Sequence, residues 1–290
     1  MKRFLKAAKK ATIKFCEKIH AYRLKMCIIH TEYFLASNGG ATVYIKAIAF
    51  ELSNILLDYF KPKRRCPICG WQGSEFSPIA FSDNYRAATR CPSCMTYERH
   101  RLLINYINNH PDIPRENVLF VGPNKFFADI LAPDGYFSID IYPYDYVDVI
   151  GDLGTLPFKD NSFDMVICFR VLEHIPDDMT ALSNLRNILK DNGSLFLSVP
   201  LYEGIENTFD YTTDRNNCLR GPTWAYPDHA RDFSINDLEN KIFQSNMQFE
   251  KITYKSDTSN NMLYKLKPDN DTIGKKMNYI YTDIVYRCFK

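Results

Sequence analysis

Five short apolar runs between residues 118 and 200, separated by helix-length segments, narrow the folds open to this 290-residue chain. VLFVG (118–122), YFSIDI (136–141), YVDVI (146–150), FDMVICF (163–169) and SLFLSVP (194–200) are each about one strand long and too short for a helix. Residues 124–132 and 179–190 read as helices. In the second, Leu182, Leu185, Ile188 and Leu189 share one face, and Asp191-Asn192-Gly193 stops it. Strands alternating with helices demand a parallel sheet with right-handed crossovers. INDLENKIF (235–243) adds a helix, followed by strands near 247–254 and 280–288 with no helix between them, which form an antiparallel edge.

Ahead of this pattern stand two knuckles of one form, Cys66-Pro67-Ile68-Cys69 and Cys91-Pro92-Ser93-Cys94, separated by 21 residues. Each sets two thiols at the spacing one turn of chain needs to grip an ion. Together, Cys66, Cys69, Cys91 and Cys94 supply the four soft ligands of a tetrahedral, structural zinc. The segment 61–101 has little apolar content and depends on such a staple to fold. Gly70 permits the tight turn after the first knuckle, and Trp71 and Phe76 form a small hydrophobic base. The cysteine count of nine is odd, and lysines interrupt any leader-like apolar run in the first 30 residues. Both points place the chain in a reducing cytoplasm, where paired CxxC motifs bind metal. Cys16, Cys27, Cys168, Cys218 and Cys288 read as small hydrophobes or loop residues.

The net charge of +2 hides an asymmetry: residues 1–101 hold 18 Lys/Arg against 7 Asp/Glu, and the remainder is correspondingly acidic. A basic front end suits RNA, an anionic membrane surface, or the acidic half of the same chain. Residues 1–35 carry an apolar stripe at helical spacing (Phe4, Ala8, Ala11, Phe15, Ile19, Tyr22, Met26, Ile29), fit for peripheral membrane contact or for packing on protein. A second helix is expected from about Ala41 to Tyr59. No run reaches the 18 or so uncharged apolar residues of a spanning helix.

In an open parallel sheet, ligands sit at the carboxyl ends of the strands. Gly122 ends the first strand, where a missing Cβ admits a ligand. Asp140, followed by Ile141, ends the second, where a carboxylate accepts hydrogen bonds from two ribose hydroxyls. Asp152-Leu153 follows the third, a polar edge and an apolar face for adenine. Arg170-Val171-Leu172-Glu173-His174 follows the fourth and reaches the centre of the cleft.

Residues 118–200 resemble the class I S-adenosylmethionine-dependent methyltransferases, in particular the group written LPF-x-D-x-S-F-D-x-V followed by V-L-E-H-x-x-D. Here these read Leu156-Pro157-Phe158-Lys159-Asp160-Asn161-Ser162-Phe163-Asp164-Met165-Val166 and Val171-Leu172-Glu173-His174-Ile175-Pro176-Asp177. The chain is also similar to a subgroup with an N-terminal zinc ribbon before Glu98-Arg99-His100-Arg101-Leu102-Leu103 and a later Asp228-His229-x-Arg231. The resemblance spans about 66–255. It implies an α/β, Rossmann-like, mostly parallel seven-stranded sheet with an antiparallel edge hairpin, preceded by the ribbon and N-terminal helices. It also implies S-adenosylmethionine as cofactor, with Asp140 on the ribose, Asp152 and Leu153 on the adenine and Gly122 at the methionine end. The turn departs from the group's pattern. Acidic-x-Gly-x-Gly-x-Gly becomes Phe120-Val121-Gly122-Pro123-Asn124-Lys125-Phe126, with Asn124 tolerant of unusual backbone angles.

The expected organisation is a basic helical region (1–60), a zinc-ribbon module (61–101) and a methyltransferase domain (102–290). Methyl transfer needs donor and acceptor held in line, and an acceptor that carries a proton benefits from a base, for which His174 and His229 are the candidates. The long, aromatic segment 201–233 suits an acceptor wall or lid. The acceptor itself has no readable code. A small metabolite or a glycan or lipid-linked intermediate is favoured, with an RNA-modifying enzyme and a non-catalytic scaffold as the alternatives.

Overall fold

The computed structural model describes residues 23–24, 27–28, 41–60, 63–81, 84–213, 228–253, 280–282 and 284–290. Most of the stripe at 1–35, together with Cys16, Cys218, Trp224 and Tyr226, lies outside them. Two compact units are present, the first made chiefly of residues 1–97 and the second of residues 98–257 with the C-terminal strands.

The first unit holds helix α1 (Ala41–Phe60) and two small hairpins, β1 (Arg64–Arg65) with β2 (Gln72–Gly73) and β3 (Ser77–Phe81) with β4 (Asn84–Arg90). The inward face of α1 is polar as well as apolar. Tyr44, Ala47, Glu51 and Asn54 are buried on it. Glu51 and Asp58 clamp the buried Arg23 guanidinium at 2.5 and 2.9 Å. Ser74 closes the network through Asn54 and Asp58. Such a set is tolerated in an interior because one guanidinium bonds both carboxylates.

The second unit is built on a seven-stranded, mostly parallel sheet. In chain order its elements are α2 (Glu98–Asn109), β5 (Val118–Val121), α3 (Lys125–Leu131), β6 (Phe137–Asp140), β7 (Val149–Ile150), β8 (Phe163–Phe169), a 3-10 turn (Leu172–His174), α4 (Asp178–Ile188) and β9 (Leu189–Ser198). There follow β10 (Leu201–Glu203), β11 (Phe209–Asp210), β12 (Arg231–Asp232), α5 (Ile235–Gln244), β13 (Gln248–Ile252), β14 (Ile280–Thr282) and β15 (Val285–Phe289). The sheet order is β13-β15-β9-β8-β5-β6-β7. Strands β5 to β9 pair in parallel, while β15 runs antiparallel to both β9 and β13. The expected edge hairpin is therefore present, with its second strand inserted next to the parallel sheet. All seven residues of β8 are buried, as a central strand covered on both faces requires.

Leu182, Leu185 and Ile188 of α4 pack on the sheet with Leu119, Val166, Leu195 and Leu197. Cys168 and Cys288 are fully buried, and burial pushes both thiols well above their usual range. They behave as apolar core residues. His100 likewise packs edge-on against Phe127 and Phe169 in the core.

Candidate active site

The chain leaves β5, runs outward through β6 and β7, and returns on the other side of β5 as β8. That reversal opens a crevice at the carboxyl ends of the strands. A cavity of about 460 Å³ lies there, lined by residues following each of the four strands: Gly122, Asp140, Asp152, Leu153, Val171 and His174 are among them. Ile141 and Arg170 also line it.

Local chemistry shapes each wall. Gly122 has φ +60°, and a Cβ placed on it would meet Val171 Cγ2 at 2.8 Å. The two loops thus approach as closely as a missing side chain allows. Pro123 and Asn124 stand outside the lining. Asn124 has extended backbone angles and acts as the N-cap of α3, its Oδ1 accepting from Phe127 N at 3.0 Å. Asp140 Oδ1 accepts from Tyr142 N at 2.9 Å, which fixes the carboxylate at the rim. Asp152 Oδ1 accepts from Gly154 N at 2.6 Å, and Asn184 donates to the carbonyls of Leu153 and Gly154 at 2.9 Å each. Arg170 takes φ +61°, an unusual conformation for a side chain-bearing residue, of the kind that gathers at functional sites.

At the other end His174 lines the cavity with a third of its side chain exposed, and its Nδ1 lies 3.3 Å from both the carbonyl and the carboxylate of Asp228. His229 is brought beside it, ring centroids 4.8 Å apart, but is buried behind the wall. Its Nδ1 lies 3.0 Å from Asp232 Oδ1, and Tyr211 donates to the other oxygen of Asp232 at 2.8 Å. Arg231 bonds the carbonyls of Ile175 and Pro176 at 2.7 Å each, and Ala230 N donates to the Glu173 carbonyl. The Asp-His-x-Arg segment is in this way stapled to the end of the fourth strand. Sequence reasoning missed Tyr142 and Tyr144, which also line the cavity, and Asp232. Only the position of Asp232, three residues after His229, hinted at a partner.

Residues 142–197 match the family described as "Methyltransferase domain". That stretch, about a fifth of the chain, is similar to a methyltransferase domain. Over 102 residues the chain is 28% identical to an uncharacterised methyltransferase, YcgJ of Bacillus subtilis, covering 35% of this chain and 38% of that protein. A 44-residue stretch is 52% identical to an uncharacterised protein of Methanocaldococcus jannaschii, 15% of this chain and 19% of the relative. The chain thus spans well under half the length of either curated relative. The crystal structure of YcgJ aligns with a TM-score of 0.44 at 17% identity, covering 66% of this chain and 98% of that one.

In the first unit the four predicted cysteines come together, one sulfur of each within 4.8 Å of all the others. Cys66 and Cys94 Sγ lie 3.7 Å apart, as do Cys69 and Cys91 Sγ. Thiolates on a tetrahedral zinc, each about 2.3 Å from the ion, stand roughly 3.8 Å from one another. The two knuckles repeat one turn: Gly70 N donates to Cys66 O and Met95 N to Cys91 O, with φ of +75° and +62°. Trp71 and Phe76 are fully buried, ring centroids 5.3 Å apart, as the base expected from the sequence.

Proposed function

We propose that this methyltransferase domain moves the methyl group of S-adenosylmethionine to a hydroxyl of a small metabolite or of a glycan or lipid-linked intermediate. One observation carries the reading: loops from four strands converge on a single cavity whose lining includes both Asp140 and His174. Its volume, about 460 Å³, falls in the range of small-molecule sites. Asp140 holds the ribose, with Ile141, Asp152 and Leu153 around the adenine. Gly122, Pro123 and Asn124 form the turn at the methionine end, flanked by Arg170 and Val171. Of the two candidate bases, His174 lines the cavity and eases loss of the acceptor's proton, while His229 is buried behind it. An oxygen lone pair then attacks the methyl carbon, and the carbon–sulfur bond breaks with its electron pair kept by sulfur. The products are a methyl ether, S-adenosylhomocysteine and a proton released to water. Alignment of donor and acceptor supplies most of the acceleration.

The four cysteines bind a structural zinc that holds the ribbon together, a role supported by their spacing and by the scarcity of apolar residues around them. The proposed division into a basic helical region (1–60), a ribbon (61–101) and a catalytic domain (102–290) follows these roles. Among the described residues no helix is long and apolar enough to cross a membrane. The peripheral membrane contact expected of residues 1–35 falls mostly outside them.

Calorimetric titration of the full chain with S-adenosylmethionine tests the assignment. Binding is expected, and Asp140→Ala is expected to weaken it by about 10- to 100-fold, the worth of charge-assisted hydrogen bonds to two hydroxyls. Wild-type protein that takes up no donor at millimolar concentration would favour the scaffold alternative.

A further inference from the structure

Glu173, His174 and His229 form a second group of metal-binding side chains, this one inside the methyltransferase unit. One donor atom of each lies within 4.8 Å of the others. Glu173 is 1% exposed, and its Oε2 is buried with no hydrogen-bond partner among the described residues. A buried carboxylate oxygen without a donor is costly, and a cation is the partner that relieves it. No lysine or arginine forms an ion pair with Glu173 among the described residues.

The two imidazoles are oriented for the same task. A carboxylate only accepts, so the His229 Nδ1 that faces Asp232 carries a proton. Asp232 is in turn held by the Tyr211 hydroxyl. Carboxylate to imidazole to ion is the usual arrangement behind a ligating histidine, and it raises the basicity of the ring. His174 has the same polarity, its Nδ1 toward the carbonyl and carboxylate of Asp228. His229 is only 7% exposed and does not line the cavity, so as a free base it lacks a path to an acceptor. As a ligand it needs to reach only the ion. Two ligands each about 2.1 Å from one ion sit at most roughly 4.2 Å apart, so binding draws the trio slightly inward.

We propose that Glu173, His174 and His229 hold a divalent transition-metal cation at the acceptor end of the cavity, where its open positions take one or two hydroxyl oxygens of the acceptor. Two imidazole nitrogens and one carboxylate oxygen suit manganese, iron, cobalt or zinc. Three protein ligands leave coordination positions for substrate, as catalytic sites require. The inference rests on the methyl-transfer reading for its purpose. The ion lowers the pKa of the bound hydroxyl, whose proton leaves to water, and the oxygen attacks the methyl group as above. A sugar with neighbouring hydroxyls is the acceptor class that fits best.

The test uses the full-length, zinc-loaded chain titrated with Mn2+, which thiolate sites do not favour, and follows the resonance of free aqueous Mn2+. One Mn2+ per chain is expected to bind. Glu173→Gln and His229→Asn should each weaken uptake at least about tenfold, the usual effect of disturbing a ligand set. His174→Asn sits at a partly exposed position and decides the matter if the buried variants fail to fold. Asp140→Ala should keep Mn2+ uptake while losing donor affinity, which separates the two proposals. Failure of the wild type to bind both Mn2+ and Co2+ up to millimolar concentration, or unchanged binding in Glu173→Gln and His174→Asn, would overturn the site. Metal uptake without donor binding would leave the site standing and remove the methyl-transfer reading.

Discussion

Single atoms decide the methionine-end turn. With φ +60° and Val171 Cγ2 at 2.8 Å from a notional Cβ, Gly122 has neither the backbone freedom nor the space to become alanine. Gly122→Ala is expected to cost about 1–3 kcal/mol, the usual penalty of a side chain forced into a left-handed or overpacked site. It should also lower donor affinity, and thermal melts with donor titration check both. The sequence showed this glycine because it stands alone where a richer turn is usual. It did not show that Asn124 serves as a helix cap, since a cap depends on where α3 begins. Nor did it show that Met95 repeats the backbone of Gly70, because only the paired geometry of the two knuckles reveals it.

Strands and helices carry the next level, and Asp164 ties three of them. It is the second residue of β8 and accepts from Asn117 before β5 and from Lys190 in β9. Burial pushes its pKa up, but the Lys190 ammonium and the Asn117 donors outweigh this and hold the carboxyl below the usual range. A depressed folded-state pKa gives stability that is complete above the unfolded value, near 3.9, and is lost as pH falls through the folded value. Asp164→Asn should therefore show a shallower loss of stability than wild type between about pH 4 and pH 2 in denaturant titrations. At this scale the strand runs and most of α4 were legible from apolar spacing, but Leu189, expected on the helix, caps it and opens β9 instead. The buried polar face of α1 was not legible. Glu51, Asn54 and Asp58 turn inward only because Arg23 and Ser74 wait there, and no periodicity in the helix announces a distant guanidinium.

For the whole molecule, the chain combines one unit in which four cysteines gather at a point with another built on a seven-stranded sheet. The ribbon's base is little more than Trp71 and Phe76, whereas the second unit's core is centred on β5, β8 and β9. Stripping zinc with a strong chelator is expected to release hydrogen-exchange protection in residues 64–94 while the amides of β5, β8 and β9 stay protected. Loss of protection in both regions together would show that the staple supports the whole chain. The charge division follows the same line, basic over residues 1–101 and acidic beyond.

Local chemistry was decided by the sequence alone. The paired knuckles named their four sulfur ligands, and the apolar runs named the strands. Gly122, Asp140, Asp152 and Val171 were placed at strand ends because a strand's end is a local property. Which strands lie side by side was settled by folding, through the insertion of β15 between β13 and β9. So was the meeting of Glu173 and His174 with His229, more than fifty positions further along the chain. A metal-binding trio of that kind is a statement about distance in space, and spacing along a chain carries it only within a turn or two.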